Sequence, residues 1–387
     1  MTFISETSCM NVKELLIIMD KVKASDLYLT VDAPPMFRIE GITRPYGESK
    51  LTSNQTEDIA QSFMTERQKA LFSENLEMNM GLYYPELGRF RVNLYRQKGF
   101  VGIVVRRIKF EIDSLDELGL PAVLKDIALT KRGLVLIVGG TGTGKSTTLA
   151  AMIEHRNSTT SGHIITIEDP IEFLYQHRKC IVSQREIGID TFTYADALKN
   201  TLRQAPDVIL IGEIRDRETM ESAMVFSETG HLCLSTLHAN NANQGIERIM
   251  NFFPPEKHAQ LYFQLSLNMR AIISQRLIPT AEGKRSAAIE ILIDTPRVKD
   301  LIMKRKIDVL KEAMQEGNAE GMQTFDQSLY ELFQAGKISY ENAMAYADSA
   351  NDLRLRIKME KVAEQSVRKP GTAKETVNKQ DDSFRLK

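Results

Sequence analysis

The segment Gly139-Gly140-Thr141-Gly142-Thr143-Gly144-Lys145-Ser146, followed by Thr147, fits the pattern G-x-x-x-x-G-K-[ST]. Glycines at these places let backbone N–H groups turn inward and cradle phosphate oxygens. Lys145 then brings a point charge to the β and γ oxygens, and the Ser146 hydroxyl is suited to a Mg²⁺ ion. An apolar run, Leu134 to Val138, precedes the segment and a helical pattern from Ser146 follows it. That strand-to-helix context separates a phosphate loop from a bland glycine turn. The chemistry it implies is binding of a nucleoside triphosphate.

Such a loop needs a carboxylate at the end of a neighbouring strand to hold the metal. Val208-Ile-Leu-Ile-Gly212-Glu213 supplies one, but Gly212 stands where the usual aspartate would be. Glu213 must therefore serve the metal alone, with Arg215, Asp216 and Arg217 just beyond it. A second strand, Ile164 to Ile167, ends in Glu168, Asp169 and Glu172 and is broken by Pro170. A carboxylate there can orient and deprotonate an attacking water. Glu168 and Glu172 both qualify as the base, and a solvated acidic loop is the plain alternative. A third strand, Leu232 to Leu237, delivers His238, with Ala239-Asn240-Asn241 following. A γ-phosphate sensor is favoured there over a packed imidazole.

The elements that must position these groups fall into two parts. Length alone, 387 residues, suggests two or three domains. Residues 1–108 read as a small α+β module: a helix from Val12, strands at Leu27 to Val31 and Met36 to Ile39, and a helix starting near Ser53. In Arg89 to Tyr95 the residues Phe90, Val92 and Leu94 share one face, while Arg89, Arg91 and Asn93 share the other. The next strand, Val101 to Val105, ends in Arg106-Arg107. Residues 109–120 read as a charged linker. Residues 121–350 alternate strand and helix as a parallel α/β sheet does, then become mainly helical. A long helix is expected through Leu261, Leu265, Met269, Ile272 and Arg276, and one strand at Ala287 to Ile293. The basic, apolar-poor residues 351–387 read as a disordered tail.

Fifty Lys+Arg against fifty-one Asp+Glu give a net charge of −1, and there is no tryptophan. A nucleic-acid motor would want a basic groove with interleaved aromatics, so that reading is disfavoured and no nucleic-acid partner is expected. Cys9, Cys180 and Cys233 are too few and too scattered for a disulfide framework, which fits a reducing, cytoplasmic setting. No apolar run approaches the length of a bilayer span, and the N-terminus lacks the pattern of a secretory signal.

Taken in order, Gly139 to Ser146, Ile167 to Glu172, Gly212 to Asp216 and Ser235 to His238 resemble the Walker A, Asp box, Walker B and His box of the secretion-type ATPases. Ala24-Ser-Asp-Leu27, Gly88 to Asn93, Arg132 to Ile137 and Gly321 to Asp326 are similar, more narrowly, to type IV pilus retraction ATPases of the PilT and PilU branch. C-x-x-C zinc pairs, usual in assembly and type II motors, cannot form here. Pro296 to Met303 keeps only part of a segment typical of PilT, and with the longer tail this places the chain nearer the PilU side.

The resemblance implies an ATP-hydrolysing homo-hexamer with Mg²⁺, a PAS-like N-terminal domain and a RecA-like P-loop core. It further implies that Arg91 and Arg106 reach the phosphates. The partners it implies are a PilT-like paralogous motor and the platform protein of the pilus machine at the inner membrane, with the chain itself cytoplasmic. A nucleotide-binding regulatory ring subunit with little hydrolysis of its own is the alternative reading.

Overall fold

The computed structural model describes residues 12–108 and 111–367, with side chains up to 359. Cys9 and residues 368–387 of the expected tail lie outside the described residues. Six strands form the first sheet: β1 Asp26–Leu29, β2 Met36–Ile39, β3 Ile42–Pro45, β4 Glu77–Tyr84, β5 Gly88–Gln97 and β6 Phe100–Arg107. Their order is β3-β2-β1-β6-β5-β4 and every pairing is antiparallel. Alternation along β5 works as the sequence suggests. Phe90, Val92 and Leu94 are fully buried with Leu15, Leu16 and Met19 of the helix Val12–Lys21, and the arginine face points away. The helix Ser53–Phe63 starts at a capping box in which Thr52 and Gln55 satisfy each other's backbone N–H groups.

Seven strands form the second sheet: β7 Gly133–Val138, β8 Gly162–Glu168, β9 Cys180–Glu186, β10 Val208–Ile211, β11 Leu232–Leu237, β12 Met269–Pro279 and β13 Arg285–Ile293. The order is β13-β12-β7-β11-β10-β8-β9. All neighbours are parallel except β12 and β13. Helices cover both faces, so β7, β10 and β11 are buried along their whole length and read as unbroken apolar runs. Because β7, β8, β10 and β11 run in the same direction, their C-terminal ends gather at one edge. Ligands of open parallel sheets bind at that edge.

Two expectations give way. The helix drawn through Leu261 to Arg276 stops at Asn268, and Met269 to Arg276 belong to β12. Ala271, Ile272 and Ile273 are buried in succession, on both faces of a strand wedged between β7 and β13, as an interior strand covered on both sides requires. β13 is thus one arm of an antiparallel pair. The tail expected from residue 351 is instead a helix, Ala350–Val367, anchored by Leu353 and Ile357 against Phe325 and Leu329. Two apolar residues four apart are enough to seat its inner face. Among the described residues no helix is long and apolar enough to cross a membrane.

Candidate nucleotide site

The phosphate loop leaves β7 and enters the helix Lys145–Thr159 through Gly144, whose φ of +87° is left-handed. A side chain there would be strained and would also meet the Gln275 amide at 2.8 Å. The helix begins with no side-chain cap. Its first-turn N–H groups are therefore available to an anion, and the helix dipole favours one. Lys145 is buried and its Nζ donates to the carbonyl oxygens of Gly139 at 3.0 Å and Gly140 at 2.7 Å. Burial lowers its pKa, and the negative charges of Glu213 and Glu172 oppose that shift. A lysine resting on two carbonyls that phosphate oxygens can replace fits a nucleotide polyphosphate.

Gly212 occupies the strand-end position where β8 and the helix Tyr194–Thr201 come close, and a larger residue would need them to give by a few tenths of an ångström. A Cβ would stand 3.2 Å from the Tyr194 hydroxyl and 3.3 Å from Glu168 Cα. Glu213 follows on a turn beyond the strand. It accepts a hydrogen bond from Arg215 Nε at 2.8 Å, and its other oxygen lies 3.0 Å from His238 Nε2. Arg215 also approaches Asp169 at 3.7 Å. Thr236 and Ser235 on β11 donate to the carbonyls of Gly212 and Ile211, each at 2.7 Å, and so tie the His238 strand to the Glu213 strand.

Glu168 ends β8. Its Oε1 accepts from Thr166 Oγ1 at 2.7 Å and Gln184 Nε2 at 3.4 Å. Exclusion of water pushes its pKa up to about 7, against those two hydrogen bonds and a third from the Glu172 backbone. Glu172 is exposed.

A cavity of about 210 Å³ gathers Lys145, Ser146, Glu168, Glu172, Glu213 and His238 with Thr141 and Gly142 of the loop. Sequence reasoning missed its aromatic wall, Phe173, Tyr175 and Tyr194, and the clamp that Arg215 makes on Glu213. Burial raises the pKa of both tyrosines, so they stay neutral. Nothing local in the sequence marks Tyr194, which only begins a short helix. Position beside Glu213 was the one available hint for Arg215.

Arg91 and Arg106 do not line this cavity. They face each other across β5 and β6, and Arg106 Nε donates to the buried Asp26 at 2.7 Å. Arg89, on the same face as Arg91, reaches the second sheet: its Nη2 donates to Glu186 Oε2 on β9 at 3.1 Å. Burial raises the pKa of Glu186, while Arg89 and, less strongly, Arg91 pull it down.

Residues 89–380 match the family described as "Type II/IV secretion system protein". The chain is 54% identical over 351 residues to the type IV pilus ATPase PilU of Pseudomonas aeruginosa, covering 90% of this chain and 92% of that one. It is 42% identical over 334 residues to the retraction ATPase PilT of the same organism, covering 86% and 97%. A crystal structure of the pilus retraction motor PilT with bound ADP superposes with a TM-score of 0.83 at 39% identity, covering 89% of this chain and 99% of that one. The phosphate loop, the α/β core and these relatives agree: the chain belongs to the type II/IV secretion system proteins, in the branch of the type IV pilus retraction ATPases.

Proposed function

We propose that the chain is a subunit of a homo-hexameric ATP-driven motor that powers or assists type IV pilus retraction, alongside a PilT-like paralogue and the inner-membrane platform of the pilus machine. The observation that carries this reading is the cavity in which Lys145, Glu168 and the Glu213–His238 pair converge.

Lys145 Nζ exchanges the Gly139 and Gly140 carbonyls for β and γ oxygens of ATP. Thr147 and the loop residues Gly139 to Ser146 surround the phosphates. Ser146 and Glu213 would hold Mg²⁺, which supplies charge neutralisation at the phosphates when bound. No group of three or more acidic, His or Cys residues fit for a metal occurs among the described residues. One hydroxyl and one carboxylate are nonetheless the usual protein share of a Mg²⁺ site, where water and phosphate complete the shell. Glu168 is held through Oε1 by Thr166 and Gln184 and also by the Glu172 backbone N–H, and its carboxylate takes the proton of the attacking water. A base whose pKa lies near neutrality matches that task, which favours Glu168 over the exposed Glu172. His238, held on Glu213, senses the γ-phosphate from the opposite wall. Arg91 and Arg106, absent from the cavity of their own chain, act on a neighbouring subunit's nucleotide.

Gly212 supports a second reading, a regulatory ring subunit that binds ATP and turns it over poorly. Steady-state hydrolysis by the purified full chain, with Lys145→Ala as control, separates the two. Turnover that disappears in the variant supports the motor, and absence of turnover in the unaltered protein supports the regulatory ring.

A further inference from the structure

Glu290 on β13 is 2% exposed in a strand whose neighbours Ala288, Ile289 and Ile291 are plain core residues. Its Oε1 accepts two hydrogen bonds, each of 2.8 Å, from the Ala242 backbone N–H and from the Ser274 hydroxyl on β12. Burial raises its pKa. The two donors and Arg276 oppose that shift, and Asp348 adds to it. Burying a carboxylate is costly, and an apolar side chain would fill the place at lower cost. The group therefore serves something other than packing.

Ala242 opens the helix Ala242–Met250, whose cap Asn241 accepts from Gln244 N at 2.9 Å. Four residues, 238–241, connect that helix to β11, and β11 is fixed at its end by the pairing of Leu237 with Val138. His238 is the first residue of this short link. One end is held by the sheet and the other by Glu290, so the link has little freedom. We propose that Glu290 is a positioning residue, which pins the start of the helix Ala242–Met250 so that the link holds His238 Nε2 against Glu213. The proposal rests on the reading of His238 and Glu213 as active groups. It assigns a role in the reaction to a strand that does not touch the cavity.

Steady-state ATP hydrolysis by the full chain tests it with His238→Ala, Glu290→Ala, Glu290→Gln and the double alanine variant. His238→Ala is expected to lower kcat, and an unchanged kcat there would overturn the underlying reading and the proposal together. Given that loss, Glu290→Ala is expected to lower kcat about tenfold, with KM for ATP within about twofold, as misplacement of a reacting group does. In the His238→Ala background it should cost nothing further, because the two residues act as one unit. Glu290→Gln keeps an oxygen acceptor at the same place and should recover most of the rate. Multiplicative losses in the double variant, an unaffected Glu290→Ala, or a Glu290→Gln as impaired as the alanine would each overturn the proposal. Should Glu290→Ala fail to fold, Ser274→Ala removes one of the two donors and carries the same cycle with His238→Ala. A smaller kcat loss that vanishes in that background supports the proposal, and an additive loss or none overturns it.

Discussion

Arg91 and Arg106 stand opposite each other across β5 and β6, yet only Arg106 is held by a buried carboxylate, Asp26. The two arginines should therefore respond differently to removal. Each alanine variant is expected to suppress hydrolysis, since an arginine on the transferring phosphoryl group can supply about 10³ to 10⁵ in rate. Only Arg106→Ala should also lower stability, by about 1 to 3 kcal/mol, because it takes a hydrogen-bond donor from a buried carboxylate. Thermal melts read the second effect. Mixing either variant with Lys145→Ala protein reads the first, and recovered turnover in mixed rings is the expected outcome for action across subunits.

Lys145→Ala should abolish hydrolysis. This lysine is buried on two carbonyls. Its removal forfeits those bonds and also relieves the cost of burying a cation, so ligand-free stability should move by no more than about 1 kcal/mol. Calorimetry without nucleotide checks this. A larger loss would make Lys145 a structural strut.

Glu213→Ala should leave ATP affinity close to its starting value while kcat falls, because the carboxylate matters most as charge redistributes in the transition state. Nucleotide titration and turnover measured on one preparation suffice. Affinity that falls in proportion to rate would make Glu213 a binding residue only.

Glu168 sets a pH dependence. It must be ionised to act as base, so kcat/KM should rise with pH through about 7. The same group affects stability with the opposite trend. Its folded-state pKa is raised, so its contribution to stability is complete below the ordinary value of 4.5 and is lost as pH rises through about 7. Glu168→Gln should be slow at every pH, lack the inflection, and gain stability relative to the parent above pH 7. A profile that keeps its inflection in the variant would move the base to another group.

The placement of the candidate groups was legible where they sit at strand ends. Four segments predicted from spacing alone do converge, because a parallel sheet delivers the ends of β7, β8, β10 and β11 to one edge. What stayed hidden is contact between distant segments. Apolar residues four apart at Leu261, Leu265 and Met269 imitate a helix across a boundary at Asn268, and periodicity cannot separate a fully buried strand from a buried helix. Edge strand β9, and with it the Arg89–Glu186 contact, had no alternation to announce it. Tyr194 meets Gly212, 18 residues away, and Glu290 meets Ala242, 48 residues away, and neither pairing shows in local sequence.

Gly212 also limits how this chain can be re-engineered. Putting the missing aspartate back would press a Cβ against the Tyr194 hydroxyl and against the β8 backbone at Glu168 and Ile167. A single-codon repair should therefore require those neighbours to give by a few tenths of an ångström. Trimming Tyr194 removes one of these close approaches, while those to the β8 backbone at Glu168 and Ile167 remain. Residues 194 and 212 share that space, so a library that varies them together samples side chains at 212 with more room than single changes allow.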